Sequence, residues 1–172
     1  MSCWAGTIDT LINEKNILFL ISAGNISISD ARGFGISHFI ENGKNYPDYL
    51  NELYCRIANP AQSSFAITVG SINHISIDND EFQSLGNHND ISPFSRIGTG
   101  IWGMIKPDVV EYGGGLSISK TGNIVSIKNE LSPELVRSTL HGGSAIGNDI
   151  VGTSFATPKV SYIVSQLLKL YP

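Results

Sequence analysis

Ser154 stands inside Gly152-Thr153-Ser154-Phe155-Ala156-Thr157-Pro158, a run of small residues that leads into a helical pattern. Val160, Ile163, Val164, Leu167, Leu168 and Tyr171 recur at the three-then-four spacing of one buried helix face. The serine is therefore expected at or near the helix N-cap. There its hydroxyl is exposed, the first backbone N–H groups lack partners, and the positive end of the helix dipole faces any developing negative charge. Nucleophilic attack on a carbonyl uses all three features. Pro158 in the first turn does little damage, and Gly152 lets the chain bend before the helix begins. A serine in this place also serves as an ordinary helix cap, and the two uses are compatible.

The elements that would position a partner for this serine lie far upstream. Ile17-Leu18-Phe19-Leu20-Ile21 is a continuous apolar run that breaks into Ser22-Ala23-Gly24-Asn25. Such a run fits a strand of a parallel sheet covered on both faces, and the Gly-Asn marks its carboxyl end, where sites in open α/β sheets collect. Taken alone, Asn25 reads as a turn residue.

Taken together, these segments resemble the subtilisin-like serine proteases, the subtilases, whose nucleophile segment is Gly-Thr-Ser-x-Ala-(Ser/Thr)-Pro followed by a buried helix. Six specified positions of seven match here. The resemblance implies that Ser154 is the nucleophile and that the Asn25 amide and the Ser154 N–H form the oxyanion hole. It further implies that Ser22, Ala23 and Gly24 border the first specificity pocket, with Gly152 and Thr153 shaping the turn against substrate. Lys106-Pro107-Asp108-Val109-Val110-Glu111-Tyr112-Gly113 looks like the family's Lys-Pro-Asp-(Val/Ile)-x-Ala-Pro-Gly strand, with Glu111-Tyr112 in place of Ala-Pro. Phe65 to Ser71 resembles its strand ending in Val-Gly-Ser, and Phe94-Ser95-Arg96-Ile97-Gly98 its Phe-Ser-x-x-Gly segment. The segments follow the family's order and extend the resemblance over most of residues 8 to 172.

A serine hydroxyl needs a base, and that base needs an orienting carboxylate. Subtilases supply both upstream of the oxyanion asparagine. Only twenty-four residues precede Asn25 here, with Asp9 and Glu14 among them and no histidine. His38, His74 and His88 fall in polar, turn-rich segments, where exposure is the default, and His141-Gly142-Gly143-Ser144 lacks the second histidine of the family's motif.

The expectation is an α/β fold, a subtilisin-like three-layer arrangement of parallel sheet and flanking helices, with its N-terminal strands missing. Residues 1–172 would be a partial catalytic domain carrying a divergent loop insertion over residues 26–60. The function implied is a serine endopeptidase acting through an acyl-enzyme once upstream Asp and His are present, the chain alone being inactive. The alternative is a catalytically dead relative that binds a peptide or partner. Partners would be a polypeptide substrate and the upstream half of the same domain. An unpaired sheet edge and apolar surface near Ile17 to Ile21 or on the serine helix would favour self-association.

Composition agrees with a globular piece of this size, 172 residues with 41% hydrophobic content. The net charge of −4 and the absence of any basic run argue against nucleic acid. No apolar run approaches the roughly 20 residues that cross a bilayer, and no signal peptide is visible, which leaves localisation open. Cys3 and Cys55 have no metal-binding spacing and read as free, mostly buried thiols, with a disulfide left open. Asp78-Asn79-Asp80-Glu81 lacks the spacing and glycine of a calcium loop and reads as a solvated turn, so no cofactor is expected, although subtilases often hold structural calcium.

Ile8, Leu11 and Ile12 mark a helix after Thr7. Residues 116–119 and 124–127 alternate around Lys120-Thr121-Gly122-Asn123 as a hairpin, and Ser132-Pro133-Glu134 would open a short helix. Phe34, Phe39, Tyr46, Tyr49 and Tyr54 form either a local mini-core or a border of the cleft. Gly113-Gly114-Gly115 is too short for a linker and lacks the ending of a phosphate loop.

Overall fold

The computed structural model describes residues 2–122, 125–126, 134–136 and 150–171. Its centre is a parallel sheet of β1 (Leu20–Ser22), β2 (Ile67–Ile72) and β6 (Val109–Tyr112), in the order β1-β2-β6. Leu20 pairs with Ile67, and Val69 with Val109. The parallel partnership expected of the three apolar runs is therefore present, and the content is α/β. Parallel strands need crossovers, and the long segments between them supply helices and small antiparallel ribbons.

Helix α3 (Thr153–Leu170) lies across all three strands and packs Ala156 and Val160 on Val69, with Leu20, Ile67 and Val164 at the margin. Against Ile21, a separate cluster of Ala23, Ile57 and Ala61 closes the neighbourhood of β1.

The amphipathic stripe of α3 is only partly used. Val160 is 9% exposed, but Leu168 is 61% exposed, and Ile163, Leu167 and Tyr171 face solvent too. Periodicity correctly marks the apolar face but does not supply a neighbour to cover it. The strand run is corrected in the same way: β1 is three residues long and half-buried, and Ile17 and Leu18 are exposed rather than covered on both faces.

Helix α1 (Cys3–Lys15) begins five residues before the start expected after Thr7, because the Ser2 side chain accepts the Ala5 N–H and caps it there. Asp9 on its buried face ties the turn that leads into β2. Its carboxylate accepts from the Ser63 hydroxyl and from the N–H groups of Ser64 and Phe65, both at 3.1 Å. Burial opposes the charged form, but the Ser63 and backbone hydrogen bonds outweigh it and hold the Asp9 pKa below its ordinary value.

A depressed folded-state value means that the stabilisation is complete above about pH 4 and is lost as pH falls through the folded pKa. Asp9→Asn should therefore cost about 1–2 kcal/mol at pH 7. The gap between variant and wild-type urea midpoints should close under acid, which a pH series of unfolding curves reads directly.

Residues 26–60 carry α2 (Ile36–Glu41) and two short 3₁₀ turns, Asp48–Asn51 and Leu53–Cys55. Ile26, Ile36, Phe39, Ile40, Tyr49, Leu50 and Cys55 join Phe94 and Leu116 in the largest core cluster. The mini-core reading of the aromatics is the one found for Phe39, Tyr46 and Tyr49. Tyr49 donates to Pro93 O at 2.7 Å, while Phe34 and Tyr54 stack on each other nearer the surface.

Among the described residues there are two smaller ribbons. β3 (Phe82–Ser84), β7 (Ser117–Ser119) and β8 (Val125–Ser126) pair antiparallel, which places the expected hairpin, and β4 (Gly98–Thr99) pairs with β5 (Ile105–Lys106).

The expected helix at Ser132-Pro133-Glu134 begins outside the described residues, as does His141. Cys55 is buried as expected, but Cys3 is exposed near the start of α1, and the two are free thiols. Asp78 pairs with Lys120, and Asn79 Oδ1 accepts the N–H groups of Glu81 and Phe82, so that acidic segment is a closed turn. Among the described residues there is no cluster of three or more His, Cys, Asp or Glu, and no helix is long and apolar enough to cross a membrane.

Candidate active site

At the carboxyl end of β1 the backbone turns at Gly24, whose φ of +95° is the left-handed region that glycine tolerates. A Cβ there would stand 2.6 Å from Ala58 Cβ, so glycine is required for space as well. The turn is then fastened on both sides. Ala58 N–H donates to Ala23 O, Arg96 N–H to Gly24 O, and Ile26 N–H to Phe94 O at 2.7 Å. Asn25 is left exposed between these anchors.

Its side chain is oriented by the serine helix itself. Asn25 Oδ1 accepts the Thr153 N–H at 3.0 Å and the Thr153 hydroxyl at 2.9 Å. With the oxygen so engaged, Nδ2 turns toward Gly152 and Ser154. Nδ2 lies 3.3 Å, and Ser154 Oγ 3.1 Å, from the place where a Cβ on Gly152 would stand. Both groups thus face one small volume that is open because residue 152 is glycine.

Ser154 is the second residue of α3, past the Gly152 cap, and its side chain makes no capping bond, so the plain-cap reading does not describe it. It is exposed. Phe155 N–H is taken by Gly152 O and Thr153 N–H by Asn25, and among the described residues the Ser154 N–H and hydroxyl take no partner. Two donors without a hydrogen-bond partner among the described residues, the Ser154 N–H and Asn25 Nδ2, therefore stand beside one hydroxyl at the positive end of an 18-residue helix.

The remaining predicted positions divide by burial. Gly24 and Ser22 are half-buried, whereas Ala23 is fully enclosed and Thr153 is 1% exposed. Ala23 and Thr153 thus act through the backbone they hold rather than by side-chain contact with solvent. Of the histidines, His38 is exposed on α2, and His88 stacks on Tyr112. His74 departs from the expected exposure: it is half-buried, edge-on to Tyr112. Among the described residues, none hydrogen-bonds Ser154.

The support under Gly152 escaped sequence reasoning. Gly152 N–H donates to Gly113 O at 2.9 Å, and Gly113 passes over the end of β2 so closely that a Cβ would stand 2.4 Å from Ser71 Oγ and 2.6 Å from Gly152 O. Ser71 Oγ is fixed by Ser92 Oγ at 2.7 Å, and Ser92 in turn donates to Gly114 O. The signal available was the Gly113-Gly114-Gly115 run itself, directly after a strand.

Gly113→Ala should overpack this junction, costing about 1–3 kcal/mol and displacing the Gly152 turn. The expected result is a lower urea midpoint together with, in the full-length protein, slower covalent labelling of Ser154 by a fluorophosphonate.

A pocket of about 320 Å³ adjoins Asn25, lined by Ile26, Ser27, Ile28, Phe94, Leu116 and Val151. Asn25 itself forms part of its wall, and the pocket offers mixed apolar and hydroxyl surface.

The subtilase family model matches residues 2–172. An uncharacterized protein, y4bN, of Sinorhizobium fredii (strain NBRC 101917 / NGR234) is 34% identical over 179 residues, which take in 98% of this chain and 40% of that protein. The chain thus spans well under half the length of that relative. No solved structure matches it. A serine turn, an amide-bearing strand end and a family match over nearly every residue lead to one conclusion: the chain belongs to the subtilase family.

Proposed function

We propose that this chain is the nucleophile-bearing part of a subtilisin-like serine endopeptidase. The observation that carries the reading is the common volume at Gly152, faced by Ser154 Oγ and Asn25 Nδ2, both on exposed residues. Ser154 Oγ attacks the scissile carbonyl and gives its proton to a histidine supplied by the upstream half of the domain, which an upstream aspartate orients. Asn25 Nδ2 and the Ser154 N–H hold the oxyanion. The C–N bond then breaks, the histidine returns the proton to the leaving amine, and water hydrolyses the ester.

Ser22, Ala23 and Gly24 form the wall for the side chain that precedes the scissile bond, and the 26–60 segment is an elaboration packed beside it. The upstream half covers the outer side of β1 and the apolar surface of α3. This is supported by exposed Ile17, Leu18 and Leu168 and by the longer relative. Until covered, that surface favours self-association.

A fluorophosphonate probe tests the assignment. The full-length protein should be labelled at Ser154, and residues 1–172 alone should not. Strong labelling of the isolated chain would reveal a base within it. Absence of labelling in both, with a peptide still bound, would leave a binding domain that has lost catalysis.

A further inference from the structure

Two of the chain's four arginines, Arg32 and Arg96, lie over the Tyr54 ring, Arg96 also reaching the turn that carries Asn25, and a third, Arg56, sets its guanidinium against Gly98. Their charges are not equally answered. Arg32 is spent on Asp30, whose carboxyl is held well below the usual range by the Arg32 hydrogen bonds. Nearby Glu52 is engaged by Lys44. Arg96 and Arg56 have no carboxylate within ion-pair distance among the described residues. In a chain of net charge −4, this leaves a local cationic excess at one edge of the proposed cleft.

Arg96 is held in place without being neutralised. Its Nε donates to Asn25 O at 3.1 Å, and its Nη1 to Tyr54 O and, at 3.0 Å, to Arg56 O. Carbonyls satisfy N–H groups but leave the full positive charge, and the Nη2 donors remain. Its stem lies against Gly24: Cδ is 3.0 Å and Nε 3.6 Å from where a Gly24 Cβ would stand. The guanidinium is therefore half-buried, rigid, and one residue from the amide assigned to the oxyanion. A planar fork fixed in this way pairs with a carboxylate better than a mobile lysine would. A bound peptide would also exclude water and raise the value of the pairing.

We propose that Arg96, assisted by Arg56, selects a Glu or Asp side chain on the substrate residue that contributes the scissile carbonyl. This rests on the protease reading above, since it places that side chain at the Ser22–Gly24 wall.

The test uses the full-length protein and two peptides differing only by Glu or Gln at that residue. The Glu peptide should be cleaved with a kcat/KM about 10–100-fold higher at low salt. The ratio should shrink as salt rises, fall to within about threefold in Arg96→Gln, and take an intermediate value in Arg56→Gln. Because Arg96 also ties three carbonyls and its loss loosens the turn, the wild-type ratio and Arg56→Gln carry the test independently.

Calorimetry of Ser154→Ala with acetylated peptides ending in Glu or Gln gives a reading without turnover. A Glu-to-Gln ratio near one, with Ser154 still labelled by the fluorophosphonate, overturns the charge selection and leaves the protease standing. Tighter binding of the Glu peptide without any labelling overturns the protease and retains the acidic-peptide site. Equal binding of both peptides overturns the assignment.

Discussion

Ser154→Ala in the full-length protein should lower kcat about 10⁶-fold, a magnitude taken from removal of the nucleophile in subtilisin, while leaving folding stability unchanged to within about 0.5 kcal/mol. The two halves of this expectation come from the same geometry. The hydroxyl is exposed and makes no hydrogen bond among the described residues, so its removal leaves no buried group unpaired. Alanine also suits the second position of a helix at least as well as serine. A serine acting only as a cap would give the reverse pattern, about 1 kcal/mol of lost stability with catalysis intact. Paired measurement of urea midpoint and peptide turnover therefore separates the roles. A residual rate above that of water should persist in the variant, because the Asn25 amide and the Ser154 backbone N–H remain.

Local pattern made some of this molecule readable and left the rest concealed. The three parallel strands, the 117–126 hairpin and the serine helix each announce themselves in a few consecutive residues, and the structure has them in the expected pairings. Asn25 and Ser154 are 129 positions apart, yet each sits at an element terminus that its neighbours specify, so their meeting was legible from motif order.

What local pattern misses is contact between segments whose own sequence is ambiguous. Gly33, Gly43 and Pro47 interrupt residues 26–60, and only long-range packing of Tyr49 against Phe39 and Pro93 gathers them into a core. Arg96 reads as an unremarkable filler position until Tyr54 and Asn25 are brought beside it. The apolar stripe of α3 shows the limit in the other direction. Its spacing declares a face to be covered, and nothing in the spacing says which part of a longer protein covers it.

Asn25→Asp tests the proposed oxyanion role more cleanly than alanine would. The asparagine has two duties: Oδ1 accepts from the Thr153 N–H and hydroxyl, and Nδ2 faces the space beside Ser154 Oγ. Alanine removes both and frees the start of α3, so lost stability and lost activity become entangled. Aspartate keeps an acceptor for Thr153 and replaces the donor with an oxygen. The expected result is a near-wild-type unfolding midpoint with kcat reduced about 10²–10³-fold and KM changed less than about threefold. The size of the loss is that recorded for an oxyanion-hole asparagine in subtilisin.

The KM should hold because ground-state peptide does not need the donor, whereas the tetrahedral oxyanion does. A carboxylate at this point also repels the developing negative charge, so the loss relative to wild type should narrow toward acid pH, where a protonated carboxyl regains a donor. A pH series of the Asn25→Asp to wild-type kcat ratio reads this. A flat ratio near one would remove Asn25 from the chemistry and leave it as the clamp on Thr153.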